Sequence, residues 1–347
     1  MIPSRGYAVQ NKNTLLSPYN FQRREPGPHD VLIDILYCGI CHSDLHQVKN
    51  EWGNALYPMV PGHEIVGKVR KVGAQVTRFK ENDLAGVGCL VDACRTCPSC
   101  HQGLEQYCEN GFISTYNGYE KDGKTLTFGG YSDCIVVDES FTLKISDKLP
   151  LSHTAPLLCA GITTYSPLMH WKAQKGQKVG VMGLGGLGHM AVKISNALGA
   201  HTVLFTHSAH KERDALRLGA KEVIVTKDEN AFEKHANSFD LIINTVSATV
   251  DLALYLETLK REGTLVFLGV PEHELKLHPS SLIFKRRNIA GSLIGGIKET
   301  QEMLDFCAHH NISADVEIIP IQKVNEAYER MLKGDVKYRF VIDMNTL

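Results

Sequence analysis

The sequence lacks both a long hydrophobic run and a surplus of charge of either sign. No stretch approaches the roughly 18 apolar residues that a membrane-spanning helix needs, so we expect no membrane insertion. The opening residues, MIPSRG, contain no apolar core of the kind found in signal peptides. The formal net charge is −1 and no basic block is present, which argues against nucleic acid or an anionic membrane as a partner. We expect a cytoplasmic protein that acts on a small molecule.

Internal repeats and low-complexity segments are also absent, and 347 residues are too many for one small core. We therefore expect two domains. From about residue 7 to 137, short strands such as 31–37 and 65–73 are separated by Gly, Pro and Asp, and residues 121–125 form a turn. This pattern predicts a barrel-like antiparallel domain.

From about residue 153, strands alternate with helices, which predicts right-handed βαβ units and a parallel sheet. Strands are predicted at 178–182, 202–206, 222–225, 241–244, 264–268 and 289–294, and helices at 189–198, 210–218, 231–237 and 251–259. Further helices at 298–309 and 324–332 and a strand at 338–343 are expected to return to the first domain. The expected domains are therefore 1–152 with 295–347, and 153–294.

Four cysteines in one short segment, Cys94, Cys97, Cys100 and Cys108, follow the spacing C-x2-C-x2-C-x7-C. This spacing allows four thiolates to surround a tetrahedral zinc at about 2.3 Å, with no position left for water or substrate. It predicts a structural zinc in a lobe at residues 89–110. Two disulfides or four buried thiols are the alternatives, and in a chain without a signal peptide metal ligation or free thiols are more typical than disulfides.

A glycine-rich segment follows the strand predicted at 178–182 and opens the next helix. It contains Gly183, Gly185, Gly186, Leu187 and Gly188 in the pattern G-x-G-x-x-G. In a βαβ unit these glycines permit a tight turn and the close approach of a pyrophosphate, which the N–H groups of the helix stabilise. The segment predicts a dinucleotide site. The alternative is a loop of small residues that binds no nucleotide.

An acidic residue that would bind an adenosine 2′-hydroxyl is missing at the end of the second strand of this unit. Hydroxyl and basic side chains stand there instead, at Thr206, His207, Ser208 and Lys211. A 2′-phosphate favours donors and positive charge, whereas a carboxylate repels it. The segment therefore predicts NADP(H) rather than NAD(H). The alternative is that Thr206, Ser208 and Lys211 only cap and solvate the next helix.

A second candidate metal set consists of Cys41, His63 and Cys159. Two thiolates and one imidazole with an open fourth position are typical of catalytic zinc, which polarises a carbonyl group. The spacing alone leaves other interpretations open, because the three residues lie far apart in the chain. Cys159 could be a buried core thiol, and His63 with Glu64 could form a surface ion pair.

Six motifs are distributed in order along nearly the whole chain. They are CHSDLH (41–46), PMVPGHEIVG (58–67), the four-cysteine lobe, CAGIT (159–163), GLGGLG (183–188) and YRFVI (338–342). With them the chain resembles the zinc-dependent medium-chain dehydrogenases/reductases of the alcohol dehydrogenase family. Within that family it is most similar to cinnamyl alcohol dehydrogenase-like, NADPH-dependent aldehyde reductases. The resemblance implies an α/β protein with a GroES-like, β-rich catalytic domain and a Rossmann doubly wound parallel sheet for the cofactor.

The resemblance also implies roles for individual residues. It places a catalytic zinc on Cys41, His63 and Cys159, with Glu64 beside it or as an alternating fourth ligand, and Asp44 orienting His63. It assigns a proton relay through the cofactor ribose to Ser43 and His46. Cofactor contacts are implied for His42, Thr163 and Arg339, although a surface ion pair is an alternative for Arg339. Two zinc ions and NADP(H) per chain follow.

The implied reaction is reversible hydride transfer between NADP(H) and primary alcohols or aldehydes in a homodimer. The resembled plant enzymes have aromatic pocket residues near the positions of Ser114 and Leu293. This chain lacks those aromatic side chains, so we expect a broad range of aromatic and medium aliphatic substrates. Trp52 either forms a pocket wall or packs ordinarily. Two other functions stay open: an NAD-dependent polyol or sugar dehydrogenase, and a non-catalytic protein that keeps the fold.

Overall fold

The computed structural model describes residues 1–228, 230–271 and 273–347. Strands in chain order are β1 (Ile2–Ala8), β2 (Ser17–Arg23), β3 (Asp30–Gly39), β4 (Ile65–Val72), β5 (Leu84–Val87), β6 (Leu90–Asp92), β7 (Ile113–Ser114), β8 (Cys134–Asp138), β9 (Leu143–Lys144), β10 (Lys178–Met182), β11 (His201–Thr206), β12 (Glu222–Val225), β13 (Phe239–Asn244), β14 (Leu259–Phe267), β15 (Asn288–Gly291), β16 (Val316–Pro320) and β17 (Arg339–Asp343). Helices are α1 (His42–Val48), α2 (Pro98–His101), α3 (Leu151–Thr154), α4 (Ala160–His170), α5 (Gly188–Ala197), α6 (Glu212–Leu218), α7 (Asn230–Glu233), α8 (Leu252–Thr258), α9 (Ser280–Ile283), α10 (Ile297–His310) and α11 (Val324–Leu332).

Two compact units make up the chain: Met1–Ile162 together with Gly295–Leu347, and Thr163–Ile294. The assignment of catalysis to one and of cofactor binding to the other stays a prediction at this point. Over the three ranges that the structure describes, we find no helix with both the length and the hydrophobicity needed to cross a membrane.

The first unit is built on a sheet with the strand order β16-β17-β3-β4-β5-β9, in which β8 also pairs with β3. Strand β3 is largely buried because different parts of it pair antiparallel with β4, β8 and β17. The C-terminal strand therefore joins the sheet beside Gly39, where β3 ends and the segment with Cys41 begins. This pairing places the end of the chain next to the first candidate zinc ligand.

The second unit is a parallel sheet with the order β12-β11-β10-β13-β14-β15. The order reverses between β10 and β13, as in the doubly wound dinucleotide-binding fold. Its core contains the stacked or edge-on rings of Phe205, Phe232, Phe239 and Tyr255, with centroids 5.1–6.0 Å apart. The predicted α/β class with an antiparallel β-rich part and a parallel sheet is confirmed.

Several predicted element bounds were wrong, for local reasons. The helix predicted to reach residue 237 ends at Glu233, because the N–H groups of 235 and 236 bond to carbonyls only three residues back. The last sheet strand ends at Gly291 rather than 294, and Ile294 has a φ of +34° that strand geometry excludes. The preceding strand begins at Leu259 rather than 264, and the helix expected from 210 begins at Glu212 after a short 3-10 turn.

Candidate active site

Ligand atoms of Cys41, His63, Glu64 and Cys159 all lie within 4.8 Å of one another in the first unit. The Sγ atoms of Cys41 and Cys159 are 3.9 Å apart. Two thiolates on a tetrahedral zinc at about 2.3 Å are separated by about 3.8 Å, whereas a disulfide requires about 2.05 Å. The two thiols therefore fit a shared zinc. Three separate segments meet here: the start of α1, the residues before β4, and the residue before α4.

The imidazole of His63 is oriented by Asp44, a fully buried carboxylate in the first turn of α1. Asp44 Oδ1 lies 2.9 Å from His63 Nδ1. Because a carboxylate only accepts, this contact assigns the proton to Nδ1 and leaves Nε2 as the metal-binding atom. Burial opposes a positive charge on His63, but Asp44 outweighs it and raises the pKa of the imidazole.

Glu64 is fully buried and forms an ion pair with Arg339, which is only 5% exposed. Desolvation raises the pKa of Glu64 to about 7, while Arg339 acts in the opposite direction. Its second carboxylate oxygen, Oε2, is buried without a hydrogen-bond partner in the described part of the chain. That oxygen is available to a cation. The surface ion-pair alternatives for His63–Glu64 and for Arg339 were wrong, because all three residues are buried.

The four-cysteine lobe is also assembled. Its sulfur atoms lie within 4.8 Å of one another, with Cys94–Cys100 at 3.8 Å and Cys97–Cys108 at 4.0 Å. These separations match a tetrahedral zinc site and exclude the alternative of two disulfides in this conformation. Backbone N–H groups donate to the sulfurs, as from Cys97 N to Cys94 Sγ at 3.3 Å. Such bonds lower the pKa of Cys94 to about 5.

The two residues expected to relay a proton, Ser43 and His46, both lie on α1 directly after Cys41. His46 Nδ1 is 2.5 Å from Oε2 of Glu51, and its ring lies 5.3 Å from the ring of Trp52. Trp52 is 50% exposed, so ordinary core packing does not explain its position. Sequence reasoning missed Glu51, although an acid five residues after a candidate proton-transfer histidine was a usable signal.

The glycine-rich turn of the second unit has the geometry that a dinucleotide requires. Gly183 has a φ of +85°, and a Cβ at Gly188 would lie 2.1 Å from the carbonyl oxygen of Gly183. A Cβ at Gly185 meets no atom within 4 Å, so its absence opens space above the loop rather than relieving a clash. In this motif the glycines allow a tight turn, close packing of helix against strand, and close approach of the pyrophosphate to the backbone. The loop therefore fits a pyrophosphate.

At the end of β11, Lys211 extends back to that loop and donates from Nζ to the carbonyl of Leu184 at 3.1 Å. His207 is exposed, and its Nδ1 lies 2.9 Å from Thr226 Oγ1. Neither Ser208 nor Lys211 caps the following helical turns with its side chain. Burial lowers the pKa of Lys211. The helix-capping alternative for Ser208 and Lys211 is therefore wrong, and the ammonium group lies beside the glycine-rich loop.

The remaining predicted residues are more scattered. His42 is exposed at the start of α1, and Ser114 lies in β7. Thr163 is buried on α4, and its hydroxyl has no hydrogen-bond partner in the described ranges. Leu293 is 46% exposed in the second unit. Their roles toward cofactor or substrate stay predictions.

Comparisons with known proteins identify the family to which the chain belongs. Residues 27–147 match the sequence family described as alcohol dehydrogenase GroES-like domain, and residues 186–309 match the family described as zinc-binding dehydrogenase. The chain is 56% identical to NADP-dependent alcohol dehydrogenase C 1 of Mycolicibacterium smegmatis, with 98% of each protein covered. It is 55% identical to aldehyde reductase YahK of Escherichia coli, covering 96% of the chain and 95% of that protein.

A solved structure of a related alcohol dehydrogenase is also similar to this chain over nearly its whole length. The Helicobacter pylori cinnamyl alcohol dehydrogenase complexed with NADP(H) is 44% identical, with a TM-score of 0.92, over 99% of both chains. The family resemblance predicted from the motifs is thereby confirmed. This chain belongs to the zinc-containing alcohol dehydrogenase family of medium-chain dehydrogenases/reductases.

Proposed function

We propose that this chain is an NADP(H)-dependent zinc alcohol dehydrogenase that interconverts primary alcohols and aldehydes. The observation that carries the proposal is the cluster of Cys41, His63, Glu64 and Cys159, whose donor atoms fit one zinc ion. A complete ligand set with an orienting carboxylate argues against a non-catalytic protein that merely keeps the fold. The first unit would then be the catalytic domain and the second the cofactor domain.

Zinc held by Cys41, His63 and Cys159 supplies Lewis-acid polarisation of a carbonyl or hydroxyl oxygen. When bound, the cofactor would supply hydride chemistry at its nicotinamide ring, and the protein would provide orientation and electrostatics. Glu64 holds a carboxylate oxygen at the cluster, and Arg339 keeps that carboxylate in place through their ion pair. The chain thus contributes a fixed, desolvated donor set rather than a nucleophile.

In this proposal, Ser43 and His46 on α1 transfer the proton of the reaction. The contact with Glu51 places the Nδ1 proton on His46, so Nε2 is the atom that takes up or releases the transferred proton. The His46 side chain is 35% exposed, which allows exchange with water. Ser43, three residues earlier on the same helix, offers a hydroxyl on the same face. These two residues would let a buried reaction communicate with solvent.

Preference for NADP(H) over NAD(H) rests on the end of β11. The segment 207–211 contains no acidic residue, and the Lys211 ammonium lies against the glycine-rich loop. A 2′-phosphate gains from such a charge, and NAD(H) does not. Steady-state rates with NADPH and NADH at matched concentrations test this part, and a clear preference for NADH would contradict it.

The proposed substrates are aromatic and medium aliphatic aldehydes, because Ser114 and Leu293 stand where the resembled plant enzymes have aromatic side chains. We expect kcat/KM with NADPH to change by no more than roughly 10- to 200-fold per methylene across aldehydes of graded size, since one methylene changes binding by only about 1–3 kcal/mol. Strict selectivity for a phenylpropenyl aldehyde, or turnover confined to polyols with NAD, would contradict the proposed range.

A homodimer in the cytoplasm completes the proposal. Strand β15 is at the edge of the second unit's sheet, and the segment that connects β14 to β15 exposes Val270, Ile283 and Phe284 at 79%, 72% and 82%. An exposed apolar surface beside an unpaired strand edge favours a second copy as partner. Thiolates poised for zinc rather than paired as disulfides favour a reducing compartment. Sedimentation of the wild type and of Phe284→Asp tests the dimer, which should dissociate in the variant.

A further inference from the structure

The carboxylate of Asp44 receives more hydrogen bonds than orientation of His63 alone requires. Oδ1 accepts from His63 Nδ1 at 2.9 Å and from Gly62 N at 3.3 Å, and Oδ2 accepts from Cys41 N at 2.9 Å. A fourth donor, the hydroxyl of Tyr131, lies 3.2 Å from Oδ2. Two carboxylate oxygens offer about four lone-pair sites, so Asp44 is saturated in a fully buried position.

Tyr131 is in turn backed by a second phenol. The hydroxyl of Tyr328, on helix α11 near the end of the chain, donates to the hydroxyl of Tyr131 at 3.4 Å. Both side chains are buried, at 0% and 6% exposure. Burial raises the pKa of both phenols, so each keeps its proton and can donate. Tyr328 therefore donates to Tyr131, and Tyr131 and His63 both donate to the carboxylate of Asp44.

The ring of Tyr131 is also held against the segment that carries His63. A Cβ at Gly62 would lie 2.7 Å from Tyr131 Cδ1, so only glycine permits this contact. The backbone N–H of Tyr131 donates to the carbonyl of Pro61 at 2.9 Å. Both the ring and the backbone of Tyr131 therefore pack against the loop of residues 61–63. The position of the phenol is thus a built feature of the site.

We propose that Tyr131 and Tyr328 are positioning residues for the zinc ion, acting through Asp44 on the orientation of His63. The inference rests on the proposed zinc site and extends it by two residues, one of them from the C-terminal helix. Among the described residues, the hydrogen bonds of the two phenols go to Asp44 and to each other, not to a ligand atom of the cluster. Each limits the freedom of the carboxylate that fixes the imidazole, and the bond from Tyr328 to Tyr131 strengthens the one that Tyr131 donates to Asp44.

The size of the effect is bounded by the geometry. Removing a group that directly holds a zinc-bound histidine commonly costs 10- to 100-fold in metal affinity. Tyr131 acts one residue further out, and its oxygen–oxygen separation exceeds the usual 2.7–2.8 Å. We therefore expect roughly three- to tenfold faster zinc loss for Tyr131→Phe, and a smaller acceleration for Tyr328→Phe.

The test uses the zinc-loaded full chain and follows transfer of zinc to a chromogenic chelator. Four variants are compared with the wild type: Tyr131→Phe, Tyr328→Phe, the double variant, and the control Tyr255→Phe. The control removes a phenol that is equally buried but lies in the second unit. In parallel, Co²⁺ substituted at the Cys41–His63–Cys159 site reports ligand geometry through its visible spectrum, which lost packing elsewhere does not change.

The expected result is faster release and a shifted cobalt spectrum in Tyr131→Phe, with an unchanged control. The double variant should release zinc no faster than Tyr131→Phe, since Tyr328 acts through Tyr131. If Tyr131→Phe releases zinc at the wild-type rate and gives the wild-type cobalt spectrum, while the wild-type chain binds two zinc ions, the inference is overturned and the proposed function stays intact. A wild type that binds zinc only at the four-cysteine lobe overturns both.

Discussion

The ion pair between Arg339 and Glu64 gives the most quantitative prediction. Arg339 lies in β17 and Glu64 directly before β4, and both are almost inaccessible to water. The guanidinium also donates to the carbonyl of Ile40 at 2.8 Å. Replacing Arg339 by methionine keeps the packing volume and removes the charge. Glu64 then loses the guanidinium that balances its buried carboxylate.

Breaking one side of a buried ion pair costs about 3–5 kcal/mol, because the remaining group keeps its desolvation penalty. For a unit of this size, each kcal/mol lowers the melting temperature by about 2–4 °C, so the loss corresponds to about 6–20 °C. Removing both charges in Arg339→Met with Glu64→Gln should restore part of the stability, since no ion is left uncompensated. The two single changes are therefore expected to be non-additive.

The two tryptophans allow the loss to be assigned to one unit. Trp52 lies in the first unit and Trp171 in the second, so a Trp171→Phe background reports unfolding of the first unit alone. Fluorescence-detected melting of zinc-loaded protein is compared for Arg339→Met, the double variant and the matched background. A melting temperature equal to the background for Arg339→Met would refute the reasoning, as would a double variant less stable than the single one.

Four further outcomes follow from the described contacts. Cys41→Ala should remove activity and one zinc ion while the protein stays folded; unchanged turnover would contradict its assignment as a ligand. Cys100→Ala should lower thermal stability through loss of the structural zinc, and wild-type melting would contradict that site. Lys211→Glu should raise KM for NADPH roughly tenfold or more and leave KM for NADH nearly unchanged, as initial rates will show. Burial lowers the pKa of His235, so the unfolded chain binds that proton more readily than the folded one. The second unit should therefore lose stability as pH falls below about 6.5. In His235→Gln, the urea midpoint of unfolding should depend less on pH.

Features coded by local spacing were predictable from the sequence. The four-cysteine lobe and the glycine-rich turn each lie within one short segment, and their geometry follows from spacing and from the strand–turn–helix context. Parallel-sheet strands such as β10 and β12 were predicted with their observed bounds, because buried strands in this fold form short, continuous apolar runs.

The catalytic cluster was harder, because its members come from separate segments. Spacing left Cys159 as a possible core thiol, and only the family resemblance united it with Cys41 and His63. The Arg339–Glu64 pair joins residues 275 apart in sequence through the pairing of β17 with β3, and the Tyr328–Tyr131 contact joins residues 197 apart. No periodicity in the sequence reports such a contact. The predicted ends of helices and strands were wrong where backbone geometry, rather than the hydrophobic pattern, ended the element.

Metal analysis of the purified chain tests the central claim most directly. Both clusters have donor atoms within 4.8 Å and fit tetrahedral zinc, so about two zinc ions per chain are predicted for the wild type. Cys41→Ala and Cys100→Ala should each retain about one, from the cluster left intact. About zero zinc in a folded wild-type chain that reduces aldehydes with NADPH would contradict the account.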